Sequence, residues 1–186
     1  MNYYILQQDP RIEDQPFILS CPDGFDSIEF CEGKLLKDSN IPLKFKLPPG
    51  SGNFRGGIID GIATLFHDIL RDELIRLGID NIQYFPVDLE EDNGEIEEGY
   101  NLVNIIGLID AVDRNESVFE IGKHGNIDHL FSFKIDPKKV FNFRIFRIVG
   151  APKLIIVDES LKNALKSTVD PPGVWMYPTE AYDGWM

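Results

Sequence analysis

Only two stretches of this chain carry the apolar spacing of an amphipathic helix, and this restricts the fold more than any other feature. In the first, apolar residues recur every three or four positions from Phe66 to Leu77, and Gly78 follows where a left-handed cap would end a helix. The second stretch runs from about Asp158 to Thr168. Elsewhere the apolar runs are short and bounded by turn residues, as strands are. The pattern predicts an α+β fold, with a curved, mainly antiparallel sheet and two short helices packed on it.

The predicted strands are mostly four to nine residues long. One longer apolar run, Tyr100 to Val112, is expected to form a single buried strand in which Gly107 marks a bulge. The shorter predicted strands cover residues 3–6, 27–30, 42–47, 82–87, 130–135, 141–149, 154–157 and 174–178.

The two helical stretches resemble each other beyond their periodicity. Leu70 and Leu74 match Leu161 and Leu165 at one offset, and each stretch is followed by a strand that closes on an aromatic residue and a proline. One interpretation is an internal duplication with halves 1–90 and 96–186, which meet near residues 88–100. The other is that any short amphipathic helix before a strand has this appearance. In both cases residues 1–186 are expected to form one domain.

Composition excludes several classes of protein. The chain has 186 residues, of which 43% are hydrophobic and 11% aromatic, so it can fill a core and is not globally disordered. No run of about 18 apolar residues is present, and we expect no membrane association. The first residues lack the basic and apolar segments of a signal peptide, which makes a cytoplasmic location the simplest expectation. A formal charge of −13 disfavours nucleic acid as a partner.

The residue types that carry most chemistry are few and poorly spaced. Of the three histidines, His124 and His129 lack the spacing of two metal ligands on a helix turn, and His67 is expected to lie at a helix start as a surface or capping residue. Cys21 and Cys31 form no disulfide framework, and neighbouring carboxylates would raise a thiol pKa. The glycines of residues 50–57 lack the Lys-Ser or Lys-Thr of a phosphate loop. We therefore predict no catalytic, cofactor-binding or metal-binding residues.

One segment is strongly acidic, and the end of the chain is rich in aromatic residues. The acidic segment contains no lysine or arginine, and it fits either a solvated hairpin connection or a docking surface for a basic partner. Near the end of the chain, Trp175 and Trp185 are of a type common both in interfaces and in cores. The candidate partner-binding residues are Asp88, Glu90, Glu91, Asp92, Glu95, Glu97, Glu98, Trp175 and Trp185.

An ordered set of short motifs runs through nearly the whole chain, from Tyr3 to about Pro178. In this order the set resembles the eleventh family of bacterial polymorphic-toxin immunity proteins, formerly known as a bacterial domain of unknown function. The motifs are Tyr3-Tyr4-Ile5-Leu6, Pro22-Asp23-Gly24-Phe25-Asp26, residues 77–87, residues 99–107, Asp110-Ala111-Val112-Asp113, Ile145-Phe146-Arg147 and residues 154–161.

The resemblance implies a cytoplasmic, non-catalytic immunity protein that is encoded beside a toxin and neutralises it by binding. By analogy with nuclease toxins, whose clefts are basic, the toxin is expected to be basic too. Two alternatives remain open. The chain could be an enzyme, with His67 and Asp68 or the aspartates near Gly107 as its reactive residues, or a regulatory module that binds a small molecule in a sheet cavity.

Overall fold

The computed structural model describes residues 1–37 and 42–184, and these residues contain two α-helices and twelve strands. The helices are α1 (Asp68–Arg76) and α2 (Glu159–Thr168). In chain order the strands are β1 (Tyr3–Gln8), β2 (Leu43–Lys46), β3 (Ile58–Ile59), β4 (Leu65–His67), β5 (Ile82–Glu90), β6 (Ile96–Ile105), β7 (Leu108–Ile109), β8 (Val118–Ile121), β9 (Ile127–Ser132), β10 (Ile145–Ile148), β11 (Ala151–Asp158) and β12 (Val174–Pro178).

The strands form two five-stranded sheets and a separate hairpin of β8 and β9. The first sheet has the order β12-β1-β11-β10-β7, and the second has the order β2-β5-β6-β4-β3. Neighbouring strands are antiparallel except in the pairs β10–β7 and β2–β5. The predicted α+β class, with mainly antiparallel pairing and two packed helices, is confirmed. The strands divide between two sheets, however, where one curved sheet was expected.

The division between the sheets falls at Gly107, inside the run that was expected to be one strand. The chain leaves the second sheet after Ile105 and enters the first at Leu108, and Gly107 turns it with a φ of 126° that few other residues adopt. The side-chain amide of Asn81 donates to the carbonyl oxygens of Ile106 and Ile145, each at 2.9 Å, and so ties the sheets together at this point. The prediction of a single strand from Tyr100 to Val112 is therefore wrong. The run is apolar on both sides of Gly107, so hydrophobicity alone does not show that the chain passes from one sheet to the other.

Three shorter predictions also differ from the structure. Residues 27–30 contain the start of a 3₁₀ turn, Glu29–Cys31, and no strand. The strand expected at 141–149 begins only at Ile145, because Phe141 and Asn142 adopt left-handed conformations with φ of 51° and 68°. The strand expected at 130–135 is β9, which lies three residues earlier in the chain.

The two helices connect their strands in the same way. Helix α1 joins β4 to β5, and α2 joins β11 to β12. Each of these strand pairs is separated by one strand antiparallel to both, which is β6 in the second sheet and β1 in the first. Segments 64–87 and 155–178 therefore share a topology, as a duplication predicts.

The strand registers agree residue by residue as well. Each helix begins directly after a residue that lies opposite a tyrosine of the inserted strand. The equivalent pairs are His67 with Asp158, Leu65 with Ile156, Tyr100 with Tyr3, Leu102 with Ile5, and Phe85 with Tyr177. The halves 1–90 and 96–186 stay a prediction. Strand β6, which is inserted in the second sheet, belongs to the second of these halves, and β1, which is inserted in the first sheet, belongs to the first half.

The helices share one core with one face of each sheet. Leu70 and Leu74 of α1, like Leu161 and Leu165 of α2, are fully buried there. Both sheets contribute to this core, the first through Ile145, Ile155 and Val157 and the second through Phe66, Val103 and Ile105. Full burial of one such side chain contributes about 1.5–3 kcal/mol, so the helix layer joins the two sheets. Two further cores cover the opposite faces of the sheets.

A polar contact also links the two helices. The carboxylate of Glu73 in α1 accepts hydrogen bonds from Arg76 and from the hydroxyl of Thr168 in α2. The hydrogen bonds from Arg76, and then that from Thr168, lower the pKa of Glu73 to about 2. Glu73 is therefore held ionised at the point where the two helices meet.

Candidate functional site

The acidic segment forms the end of the β5–β6 hairpin. Asp88 and Glu90 belong to β5, Glu97 and Glu98 belong to β6, and residues 91–95 connect the two strands. Val87 and Leu89 point into a core, so Asp88 and Glu90, which alternate with them, face the other side of the sheet. The segment is thus a hairpin connection with one outward-facing acidic side.

Lysines from the neighbouring strand lie on this outward face. Strand β2 runs parallel to β5, with Lys44 in register with Asp88. Two residues further along, the Nζ of Lys46 lies 3.0 Å from an Oε atom of Glu90. Opposite charges side by side on one sheet face stabilise the pairing of the strands and reduce the local negative charge.

A third cation, Arg55, reaches the hairpin from the loop before β3. Its guanidinium donates to the carboxylates of Glu91 and Glu97, and its Nη1 donates to the carbonyl of Gly52 at 2.7 Å. Partial burial works against the charge of Arg55, but the hydrogen bonds to Glu97 and Glu91 outweigh it and raise the pKa of Arg55. Two of the seven carboxylates are therefore neutralised by a residue distant in sequence.

The remaining carboxylates have no cation within ion-pair distance in the described part of the chain. Asp92, Glu95 and Glu98 are exposed and Asp88 is half-buried, while the side chain of Ile96 is 50% exposed on the same face. We call this set the acidic hairpin surface, and it consists of Asp88, Asp92, Glu95, Ile96 and Glu98. It combines unpaired negative charge with one exposed apolar side chain.

Trp175 lies in β12 of the first sheet, whereas the acidic hairpin surface belongs to the second. Its ring stacks on Tyr177 with the centroids 4.3 Å apart, and the guanidinium of Arg11 lies over it at 5.1 Å. Trp175 is half-buried and lines a cavity described below. Trp185, the other tryptophan among the candidates, lies outside the described residues.

His67 occupies the position expected of a capping residue. Its Nδ1 accepts a hydrogen bond from the backbone N–H of Ile69 at 3.1 Å, and its ring meets the ring of Tyr100 edge-on. The adjacent Asp68 accepts hydrogen bonds from Arg71 and Asn101. Both residues of the proposed His-Asp pair are thus engaged in holding the start of α1 against β6.

The remaining candidates for chemistry lie apart from one another. His124 and His129 are exposed in the β8–β9 hairpin. Asp110 lies 3.5 Å from Arg114 in a surface ion pair. Both cysteines are free, and burial followed by the charge of Asp26 raises the pKa of the Cys21 thiol. Among residues 1–37 and 42–184, no three His, Cys, Asp or Glu side chains lie close enough together to hold a metal ion.

The sequence left open a small-molecule site in a sheet cavity without locating it, and the structure has a cavity of about 610 Å³ where the two sheets meet. Its walls come from β1, β11 and β12 of the first sheet and from residues 60–64 and Val103 on the side of the second. Four charged residues line it, which are Asp60, Arg147, Lys153 and Asp183. Burial lowers the pKa of Arg147 and raises that of Asp60, and the opposite charges of the two residues partly offset both shifts. The one signal in the sequence was that Arg147 is the single charge in the apolar run 145–149.

The model of the Imm11 immunity protein family matches residues 64–181, which is more than half of the chain. The chain belongs to this family. The ordered motifs indicated the same family, so that prediction is confirmed. No curated protein matches the chain.

The segment matched by the Imm11 family includes both strand–helix–strand units, the acidic hairpin surface, Arg147 and Trp175. It excludes β1, which the first sheet needs as its inserted strand, and Arg55. No helix in the described ranges is both long enough and apolar enough to cross a bilayer.

Proposed function

We propose that this chain is a cytoplasmic, non-catalytic immunity protein that binds a cognate toxin encoded beside it and neutralises that toxin. The observation that carries the proposal is the match to the Imm11 family over both helical units. The engagement of His67 and Asp68 in local structure supports a role without catalysis. The charge of −13 supports a protein partner over a nucleic acid.

The acidic hairpin surface is the part of the molecule that we assign to docking. Its unpaired carboxylates would attract a basic surface of the toxin during the encounter, and Ile96 would then be covered in the complex. Glu90, Glu91 and Glu97 belong to the same segment but already have cation partners, so they are expected to shape the hairpin more than to attract the toxin. Trp175 is covered by Arg11 and Tyr177, which makes it a weaker candidate for contact.

Binding kinetics with the cognate toxin domain test this assignment. Replacing the four unpaired carboxylates by their amides should lower the association rate about tenfold at low salt, because exposed charges act on the encounter. The effect should shrink at about 0.15 M ionic strength, where the screening length is about 8 Å. The variant is Asp88→Asn, Asp92→Asn, Glu95→Gln and Glu98→Gln.

A control variant with the same loss of charge separates local docking from the overall field. It neutralises four exposed carboxylates elsewhere, with a much smaller expected effect on the association rate. Equal effects of the two variants would refute docking at the hairpin, and an unchanged rate in the hairpin variant would leave the segment as a solvated connection. The control replacements are Glu13→Gln, Asp14→Asn, Glu120→Gln and Asp128→Asn.

A further inference from the structure

Two buried polar atoms without hydrogen-bond partners belong to residues that line the cavity between the sheets. Arg147 is 2% exposed, and its Nη1 donates to the carbonyls of Pro152 and Lys153 while its Nε donates to nothing. Gln15 is 6% exposed, and its Nε2 donates to the carbonyl of Asp9, which leaves its Oε1 without a donor. Two residues of the cavity wall thus carry one unused donor and one unused acceptor, both of which have almost no surface accessible to solvent.

Unpaired buried groups destabilise a fold, and each needs a physical reason. The nearby carboxylate of Asp60 favours the charge of Arg147 but is not its hydrogen-bond partner; its oxygens accept from the hydroxyl of Thr64 and the backbone N–H of Gln8. A ligand that accepts from Arg147 and donates to Gln15 would satisfy both atoms at once. Arg147 is well suited to a carboxylate, because the guanidinium presents its donors in a planar fork.

The rest of the cavity wall is largely apolar and of suitable size. Aromatic rings of Phe17, Phe30 and Trp175 contribute to it, and Phe17 is half exposed. A volume of about 610 Å³ falls within the range of about 300–1,000 Å³ that is usual for small-molecule sites. An apolar wall with a few polar groups is the usual make-up of such a site.

We propose that this cavity binds a small amphipathic acid with the chemistry of an apolar or aromatic α-amino acid. The carboxylate pairs with the Nε edge of Arg147, the ammonium group donates to the Oε1 of Gln15, and the side chain lies against the aromatic wall. The proposal does not rest on toxin binding, since no residue of the acidic hairpin surface lines the cavity.

Thermal unfolding and calorimetry of the purified chain test the proposal, with leucine, methionine and phenylalanine as probes. At about one hundred times its dissociation constant, the best probe should raise the Tm by about 5–10 °C. Its carboxamide analogue, which lacks the carboxylate, should bind at least about tenfold more weakly. So should the analogue that lacks the amino group.

Three variants locate the binding. Arg147→Gln removes the cation, and Ala63→Phe fills the cavity while it leaves Arg147 in place, so each should abolish the Tm increase. Arg114→Gln, at an exposed arginine, should bind as the wild type does. If Arg147→Gln fails to fold, Ala63→Phe decides. Absence of binding by every probe, or binding that persists in Ala63→Phe, would overturn the proposal.

Discussion

The molecule contains two versions of one strand–helix–strand unit, whose buried positions match and whose exposed positions differ. The first unit comprises residues 65–90 and the second comprises residues 151–178. At equivalent positions both bury two helix leucines completely, which are Leu70 and Leu74 in one and Leu161 and Leu165 in the other. The comparison teaches that the shared helix layer fixes these positions, while the solvent-facing positions are free to differ.

The residues that cap the two helices differ in both side chain and burial. Asp158 is 3% exposed, and one of its oxygens accepts from the N–H of Leu161 at 2.6 Å and from the hydroxyl of Ser160 at 2.7 Å. His67, at the equivalent position, accepts only from Ile69, and the structure places it nearer to solvent. The position requires a hydrogen-bond acceptor for a helix N–H, and two chemically different side chains supply it.

The far ends of the units differ most. Strand β12 ends at Pro178, directly after Tyr177, whereas β5 continues four residues beyond the equivalent Pro86. Those additional residues, Val87 to Glu90, carry the chain into the acidic hairpin. The surface that we assign to docking is thus an extension of the first unit, beyond the part that matches the second.

Removing a buried leucine from each unit should have the largest effect. We expect Leu70→Ala and Leu161→Ala each to lower the free energy of unfolding by about 2–5 kcal/mol, because each leaves a cavity in the shared core. Ile75→Ala, at a side chain that is 55% exposed, serves as the control and should cost less than about 1 kcal/mol. Urea unfolding measures all three. If only one of the two leucine replacements lowered the free energy of unfolding, the helix layer would not depend on both units.

Removing the helix caps should have a smaller and unequal effect. Asp158→Ala should cost about 1–2 kcal/mol, because it leaves the buried N–H of Leu161 without an acceptor. His67→Ala should cost about 0.5–1 kcal/mol, since water can replace its single, more exposed hydrogen bond. The same unfolding experiment compares them, and equal costs would contradict the difference in burial between the two caps.

The contact between the helices should appear as a dependence of stability on pH. The folded-state pKa of Glu73 is about 2, below its ordinary value of 4.5, so its contribution is present above about pH 4.5 and is lost as the pH falls toward 2. Glu73→Gln should therefore have a lower Tm than the wild type at pH 6, and the difference should narrow by pH 3. Glu13→Gln, at an exposed carboxylate, is the control. A constant difference across this range would contradict the role of Glu73.

The sequence made the local features predictable. Period and spacing located both helices, matched Leu70 and Leu74 to Leu161 and Leu165, and placed His67 at a helix start, because each of these depends on residues within a few positions of one another. The ordered motifs also indicated the family.

The remaining features depend on contacts between distant parts of the chain. Arg55 pairs with Glu91 and Glu97 across 36 and 42 positions, so the acidic segment looked unopposed in the sequence. The switch of sheets at Gly107 leaves the apolar pattern unchanged, and the cavity exists only where the first sheet meets the second. No local pattern records the first two arrangements, and the single charge of Arg147 in the apolar run 145–149 was the one sequence signal of the third.

The strand inserted in the first sheet has a consequence for the timing of folding. All five strands of the second sheet lie between Leu43 and Ile105, so that sheet can pair soon after residue 105 leaves the ribosome. Strand β1 must still wait for β11 and β12, and synthesis of residues 106–178 takes roughly 4–15 s at about 5–20 residues per second. During this interval the acidic hairpin can already be formed, while the apolar side of α1 still lacks α2 and the first sheet. The nascent chain then exposes apolar surface of the kind that chaperones bind, before the first sheet is complete.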